Sequence, residues 1–135
     1  MTPDEIISKM MKGDAFSQWL GINVISLQPG FSKLKLKVRA EMVNGFNIAH
    51  GGITYSLADS ALAFAANSYG KQCVSIETSI SHTRPVKTND QLTAECIELN
   101  RGRSIGIYQV IITNQDDKKV ALFKGTVHIS EKNWE

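Results

Sequence analysis

A single carboxylate stands in an otherwise uncharged segment, close to a pair of glycines. Asp59 is the only charged residue between Gly51 and Gly70, and a buried helix seldom carries a lone acid without a partner or a task. Gly51 and Gly52 leave the start of the helix free of side chains, so its unpaired N–H groups can approach a ligand. These amides suit an oxygen that gains negative charge, as an acyl carbonyl does under attack. The pattern therefore indicates hydrolysis of an activated acyl bond; the alternative is an acid that pairs with a nearby serine or faces solvent.

The spacing between the glycines and the acid sets a geometric condition. Gly51 and Asp59 are eight residues apart, so on one helix they lie roughly 12 Å apart along the axis at ~1.5 Å per residue. One acyl carbon cannot be reached by both groups. If they cooperate, Gly51 of one subunit must meet Asp59 of another, which predicts a dimer whose central helices run antiparallel across the interface.

Three further side chains each have a functional and a structural interpretation. His50 lacks companions as a metal ligand, because His82 and His128 are isolated on predicted strands, so no metal site is predicted. His50 could serve as a general base, but its place at the helix start favours fixing the turn by hydrogen bonds. Asn44 is either turn chemistry or an amide that holds the acyl carbonyl or a water. Ser75 has no triad around it and is either a hydrogen-bonding helper for the acid or a plain strand serine.

The composition is typical of a globular chain and excludes several classes of protein. Its 135 residues, 42% apolar and 21% charged, predict one domain spanning 1–135. The net charge of +2 is too small to indicate nucleic-acid binding, and no phosphate loop or RNA-binding aromatic pair is present. Neither a signal peptide nor a membrane span is visible, so a cytoplasmic protein with no membrane partner is expected. Cys73 and Cys96 are expected to be buried reduced thiols.

Hydrophobic periodicity predicts the elements that must position these residues. A first helix is expected from Thr2 to Leu20, and a central helix, apolar on most sides, from Gly51 to Tyr69. Alternation and turn residues predict six strands. Their expected ranges are Ile22–Leu27, Ser32–Arg39, Val74–Thr83, Gln91–Leu99, Ser104–Thr113 and Lys119–Ser130. The order describes an α+β protein whose antiparallel sheet curls round one helix, and whose edges a second chain could cover.

With these residues in place, the chain resembles the hotdog-fold acyl-CoA thioesterases, specifically the PaaI branch linked to phenylacetate catabolism. The matching segments are Asn44-Gly45-x4-His50-Gly51-Gly52, Leu57-Ala58-Asp59-Ser60-Ala61, Asn67-Ser68-x-Gly70, Arg84-Pro85 and Val120-Ala121-Leu122-Phe123-Lys124-Gly125. His-Gly-Gly alone is weak, but with the spaced asparagine and Leu-Ala-Asp it is specific. The resemblance covers nearly the whole chain and implies the hotdog fold, an antiparallel sheet wrapped around a long central helix.

The resemblance also implies a role for each residue of the opening pattern. Asp59 would activate the attacking water or attack the thioester itself, and the backbone N–H of Gly51 would polarise the thioester carbonyl. Asn44 and His50 would support that carbonyl and the loop, and Ser75 falls where some relatives place a helper hydroxyl. No cofactor is predicted, and a homodimer or homotetramer with shared sites is expected. The implied substrate-binding residues are Gly52, Arg84, and Phe46 near the acyl pocket.

These observations predict an acyl-CoA thioesterase that favours aryl-acetyl or medium-chain acyl groups. One alternative is a hotdog domain that binds acyl-CoA without hydrolysing it, which would be expected to lack the helix acid. The other is a hotdog hydratase or dehydratase, which would pair a histidine with an acid for proton abstraction at carbon. The fold alone does not separate the three, because function resides in the site.

Overall fold

The chain forms one six-stranded antiparallel sheet that packs against a central helix. The computed structural model describes all 135 residues. Its helices are α1 Pro3–Gly13, α2 Ala15–Leu20 and α3 Gly51–Asn67, and its strands are β1 Asn23–Gln28, β2 Phe31–Lys37, β3 Lys71–His82, β4 Gln91–Arg101, β5 Ile105–Thr113 and β6 Lys119–Asn133. The strands are ordered β1-β2-β4-β5-β6-β3 across the sheet. The predicted α+β hotdog fold, with its sheet around a long central helix, is therefore confirmed.

The central helix α3 is the middle of the hydrophobic core. It contacts all six strands, and ten of its 17 residues are buried. The rest of its surface is a partly exposed stripe that includes Tyr55, Ser56, Asp59, Ser60 and Ala63, so the prediction of a helix buried on most sides holds except along this line. No helix of the fold combines the length and apolarity needed to cross a lipid bilayer.

The strand β3 lies at one edge of the sheet and exposes apolar side chains to solvent. It pairs with β6 alone, so its other edge leaves backbone N–H and C=O groups without a strand partner. Val74 and Ile76 are 65% and 59% exposed on it. A long apolar edge of this kind is a template for pairing with another strand.

The N-terminal region differs from the single helix predicted over Thr2–Leu20. Asp14 interrupts it. The backbone N–H of Asp14 donates to Met11 O and caps the end of α1. Its side chain caps the start of α2, where Oδ1 accepts from Ser17 N at 2.9 Å. A short acid that follows Gly13 competes for backbone amides and so favours a cap over a continuous helix. The break turns the chain and brings Ser17 and Asp14 towards α3.

The C-terminal end of α3 is fixed by the side chain of Asn67. Its Nδ2 donates to Ala63 O at 2.8 Å, and its Oδ1 accepts from Cys73 N at 2.9 Å. These bonds end the helix at Asn67, two residues before the predicted end at Tyr69, and join it to the start of β3. Cys73 and Cys96 are both buried and unpaired, as predicted.

Candidate functional site

The loop that leads into α3 is built around the side chain of Asn44. Its Oδ1 accepts from Phe46 N at 2.9 Å and from Ile48 N at 3.4 Å, and its backbone N–H donates to Ile48 O at 2.7 Å. The turn-forming interpretation of Asn44 is therefore correct. Its Nδ2 donates to no group of the chain and lines the cleft in front of α3, so the same side chain also leaves an amide donor free. Phe46 stands at the loop tip, 86% exposed and outside that cleft.

The first turn of α3 presents one free backbone donor. His50 is the N-cap, and its Nδ1 accepts from Gly52 N at 2.9 Å, while its carbonyl accepts from Ile53 N at 2.9 Å. The Gly51 N–H has no partner within the chain. His50 therefore fixes the turn by hydrogen bonds, and its Nδ1 occupies the Gly52 N–H. Of these amides, Gly51 is the one left for a ligand.

A cleft of about 400 Å³ opens in front of that free amide, and we call it the Gly51 cleft. Its lining includes two of the candidate site residues, Asn44 and Arg84, together with Thr54 and His82. The His82 ring lies against Gly51, with Cε1 3.3 Å from where a Cβ would stand on the glycine. Sequence reasoning set His82 aside as an isolated histidine. The alternation of faces along β3 could have predicted its position. Every second residue of a strand shares a face, so His82 lies on the same face as Ile80, which packs against the core.

The acid lies in a separate concavity of about 240 Å³, the Asp59 hollow. Ser75 lines the same hollow, and the remaining residues are apolar: Leu62, Ala63, Cys73, Val74 and Val127. The Asp59 carboxylate accepts no hydrogen bond from the chain, and the adjacent Ser60 hydroxyl is bonded to Ser17 Oγ at 2.8 Å instead. The idea that a nearby serine pairs with the acid is therefore not supported by the contacts. Asp59 is a half-buried acid with no partner.

Burial and a neighbouring acid act on Asp59 in the same direction. Partial desolvation raises the pKa of Asp59 above its ordinary value, and the negative charge of Asp14 raises it further. Asp14 is held near by Ser17, whose Oγ donates to Asp14 Oδ2 at 2.6 Å and also contacts Ser60 Oγ. A raised pKa makes the ionised carboxylate a stronger proton acceptor than an ordinary aspartate.

The two concavities share no lining residue. Asn44, Gly51 and Arg84 belong to the cleft, while Asp59 and Ser75 belong to the hollow. Within one chain the structure therefore brings together each half of the predicted site but not the two halves. The imidazole of His50 and the carboxylate of Asp59 do not meet within one chain either, so a hydratase pair would need the same sharing between subunits.

Three arginines of the fold differ in whether they have partners within the chain. Arg39 donates to Glu41 and to two backbone carbonyls, and Arg101 donates to Tyr108 and to Ala66 O. Arg84 has no ion pair or hydrogen bond in the chain and lies at the cleft. It is the cation available to an anionic group there. No cluster of three metal-ligating side chains is formed.

Comparison with known proteins places this geometry among thioester hydrolases. The family described as thioesterase superfamily matches residues 46–121. The acyl-coenzyme A thioesterase PaaI of Escherichia coli K12 is 41% identical over 119 residues, which are 88% of this chain and 85% of that protein.

Two solved structures extend the comparison. The structure of the E. coli PaaI protein from the phenylacetic acid degradation operon has a TM-score of 0.94 and covers 97% of this chain and 95% of its own, with 37% identity over that longer structural alignment. A hypothetical thioesterase protein with coenzyme A from Streptococcus pneumoniae TIGR4 has a TM-score of 0.87, 25% identity, and coverage of 93% of this chain and 98% of its own.

Proposed function

This chain belongs to the thioesterase superfamily, as a hotdog-fold thioesterase of the PaaI type, and from that premise we propose that it hydrolyses acyl-CoA thioesters to a free acid and CoA. The observation that carries the proposal is a complementary pair of unused groups. The Gly51 N–H donates to nothing in the chain, and the Asp59 carboxylate accepts from nothing. One group suits the oxygen of a reacting thioester, and the other suits the attacking water.

The proposed reaction uses these two groups on opposite sides of one carbonyl. The Gly51 N–H donates to the thioester oxygen and stabilises its negative charge as a C–O bond forms at the carbonyl carbon. Asp59 takes the proton of the attacking water, the C–S bond then breaks, and the proton passes to the departing CoA thiolate. A second route has Asp59 attack the carbon directly, and water then hydrolyses the resulting anhydride. One turnover in ¹⁸O-labelled water tests direct attack with hydrolysis at the aspartyl carbonyl, because only that course leaves label in the Asp59 side chain; the general-base route, like hydrolysis of the anhydride at the acyl carbonyl, places the label in the released acid.

Each site of this proposal is shared between two subunits of a homodimer. Gly51 and Asp59 face separate concavities, roughly 12 Å apart along α3. The bare edge of β3 and its exposed Val74 and Ile76 provide a surface that a second copy can cover by strand pairing. Antiparallel pairing at that edge sets the partly exposed stripes of the two α3 helices against each other, with Gly51 of one chain towards Asp59 of the other. A homotetramer would add contacts without changing this unit.

The shape and charge of the two concavities support aryl-acetyl or medium-chain acyl-CoA as substrates. The Asp59 hollow is small and mostly apolar, which suits an acyl group of limited size. The Gly51 cleft is more polar, and the unpaired Arg84 at its rim suits a phosphate of CoA. The sequence relative named above is called an acyl-coenzyme A thioesterase, and a structural relative holds coenzyme A.

A glycine-to-proline substitution tests the donor role of Gly51 with little cost to the helix. Proline is favoured at the first helical position and lacks the N–H, and His50, with ψ of 139°, already has the extended backbone that precedes proline. With acyl-CoA esters as substrates and free thiol as readout, we expect Gly51→Pro to lower kcat on the order of 10²-fold. Gly51→Ala keeps the N–H and brings a Cβ equally close to His82, so it is the matched control for crowding at this position. Asp59→Asn should remove the activity.

Mixing two inactive proteins tests whether the site is shared. In a hybrid of Gly51→Pro and Asp59→Asn chains, one site carries both substitutions and the other carries neither. After co-refolding at equal amounts, random pairing restores about a quarter of the wild-type sites. No thiol release by the wild-type protein from any ester would refute the proposed activity. An active wild-type protein with no recovery in the mixture would refute only the shared site.

A further inference from the structure

A hydrogen-bonded pair of side chains in the Gly51 cleft has no assigned role. His82, the last residue of β3, places Nε2 2.8 Å from Thr54 Oγ1. Thr54 is 2% exposed and lies on the first turn of α3. The pair joins the edge strand to the helix at the point where the free amide of Gly51 opens into the cleft.

The remaining nitrogen of His82 is available to a ligand. Nδ1 has no hydrogen bond within the chain, and the ring lines the cleft. Thr54 has one hydroxyl proton and two acceptors in reach, Gly51 O at 3.1 Å and His82 Nε2. When the hydroxyl donates to Nε2, the proton of the neutral ring resides on Nδ1, which is then a donor. When the hydroxyl donates to Gly51 O instead, it accepts from Nε2–H, and Nδ1 of the neutral ring is an acceptor. A donor at Nδ1 of the neutral ring therefore requires the bond from the Thr54 hydroxyl to Nε2.

We propose that His82 is a second hydrogen-bond donor to the thioester carbonyl oxygen, held in place by Thr54. The ring lies against Gly51, 3.3 Å from the position of its absent Cβ, so an oxygen bound to the Gly51 N–H lies beside the imidazole. Because a side chain at position 51 would crowd His82, the glycine also has a steric reason to be there. Arg84 supplies a positive charge to the cleft, and Asn44 contributes a neutral amide. The inference rests on the proposed thioesterase activity and extends its oxyanion site to a side chain.

Four variants separate a donor role from a packing role. His82→Phe keeps an aromatic ring against Gly51 and removes both nitrogens, while His82→Gln keeps a polar hydrogen in reach. Thr54→Val keeps the shape of the buried threonine and removes the anchoring hydroxyl. His128→Phe makes the same change at an exposed histidine of β6 outside the cleft. We expect His128→Phe to match the wild-type protein in kcat and KM.

The readout is kcat and KM for thiol release, measured separately. A donor used mainly in the transition state should lower kcat with little change in KM. We expect about a tenfold loss of kcat for His82→Phe, below the ~10²–10³-fold typical of a backbone or amide donor in an enclosed site, because His82 is exposed. Thr54→Val should lower kcat less, and His82→Gln should recover part of the loss.

The same measurements show how the inference would fail. An unchanged kcat for His82→Phe, or a raised KM at constant kcat, would refute the donor role. An equal loss of kcat in the Phe and Gln variants, with folding confirmed by their thermal midpoints, would instead assign His82 to packing. A wild-type protein that releases no thiol would refute the proposed function, whereas an active one with these results would refute only the role of His82.

Discussion

Asp59→Asn should remove the activity and, at neutral pH, make the folded chain more stable. The Asp59 carboxylate is half-buried, has no hydrogen-bond partner, and lies near the negative charge of Asp14, so burial first and then that charge raise its pKa in the folded state. An unfolded chain holds the same acid at its ordinary pKa. Ionising Asp59 therefore costs the folded state more than the unfolded state, and asparagine, which cannot ionise, avoids that cost.

The sign and size of the effect follow from proton linkage. Because the folded pKa of Asp59 is the higher one, its stabilising contribution is complete below the unfolded pKa, near ~3.9, and is lost as the pH rises through the folded pKa. The free energy of unfolding of Asp59→Asn should therefore exceed that of the wild-type protein by a growing amount as the pH rises from the unfolded pKa to the folded pKa. The difference should grow by at most ~1.4 kcal/mol per pH unit and stay constant above the folded pKa. For a chain of this length, each 1 kcal/mol corresponds to roughly 3–5 °C in Tm.

Thermal unfolding at a series of pH values, at fixed protein concentration, measures this gap. The matched control is Asp116→Asn in the exposed hairpin turn, which should change stability by less than ~0.5 kcal/mol at every pH. A gap that narrows as the pH rises, or an Asp59→Asn protein that is less stable at neutral pH, would refute the account. Either result would mean that the ionised acid has a stabilising partner in the assembled protein.

Two other substitutions probe the same helix. Asp14→Asn keeps a capping oxygen but removes the charge, so the pKa of Asp59 should fall. The acid-side limb of the pH profile of kcat/KM for thiol release should then move to lower pH. An unmoved limb would show that Asp14 does not act on Asp59. Gly125→Ala would press a Cβ into the Leu62 side chain, and we expect a loss of about 1–3 kcal/mol in urea unfolding. Gly13→Ala, where a Cβ meets nothing within 4 Å, is its control, and equal stabilities for the two variants would contradict the packing argument.

The sequence predicted the fold because each local pattern agreed with the global one. Alternation along the strands and the uncharged run of α3 predicted all six strands and the central helix, with ends that differ by a few residues. The first helix was predicted wrongly as continuous, because its apolar period runs past Asp14 and only the cap geometry shows the break. Asp14 caps the end of α1 and the start of α2. In the sequence this is a weak sign of a break, because the apolar positions on both sides of Asp14 still fit one continuous helix.

Of the site, the sequence predicted the parts that lie close together along the chain. Asn44, His50 and Gly51 form one loop and helix start, so their local bonds follow from turn and cap chemistry. The approach of His82 to Gly51, and of Asp14 to Asp59, spans 31 and 45 positions of sequence respectively. Such contacts depend on strand register and on the turn between α1 and α2, neither of which has a local signature.

The fixed spacing on α3 also limits how a chain of this kind can change by insertion and deletion. One residue added between Gly51 and Asp59 would rotate the acid by about 100° and move it ~1.5 Å along the axis, from the hollow to the position that Ser60 now holds beside Ser17 of α2. Changes of length are better tolerated in segments outside the site whose bonds close locally, such as the hairpin turn 114–118. Lineages that descend from such a chain should vary in the lengths of such turns while the number of residues from the glycine to the acid stays constant.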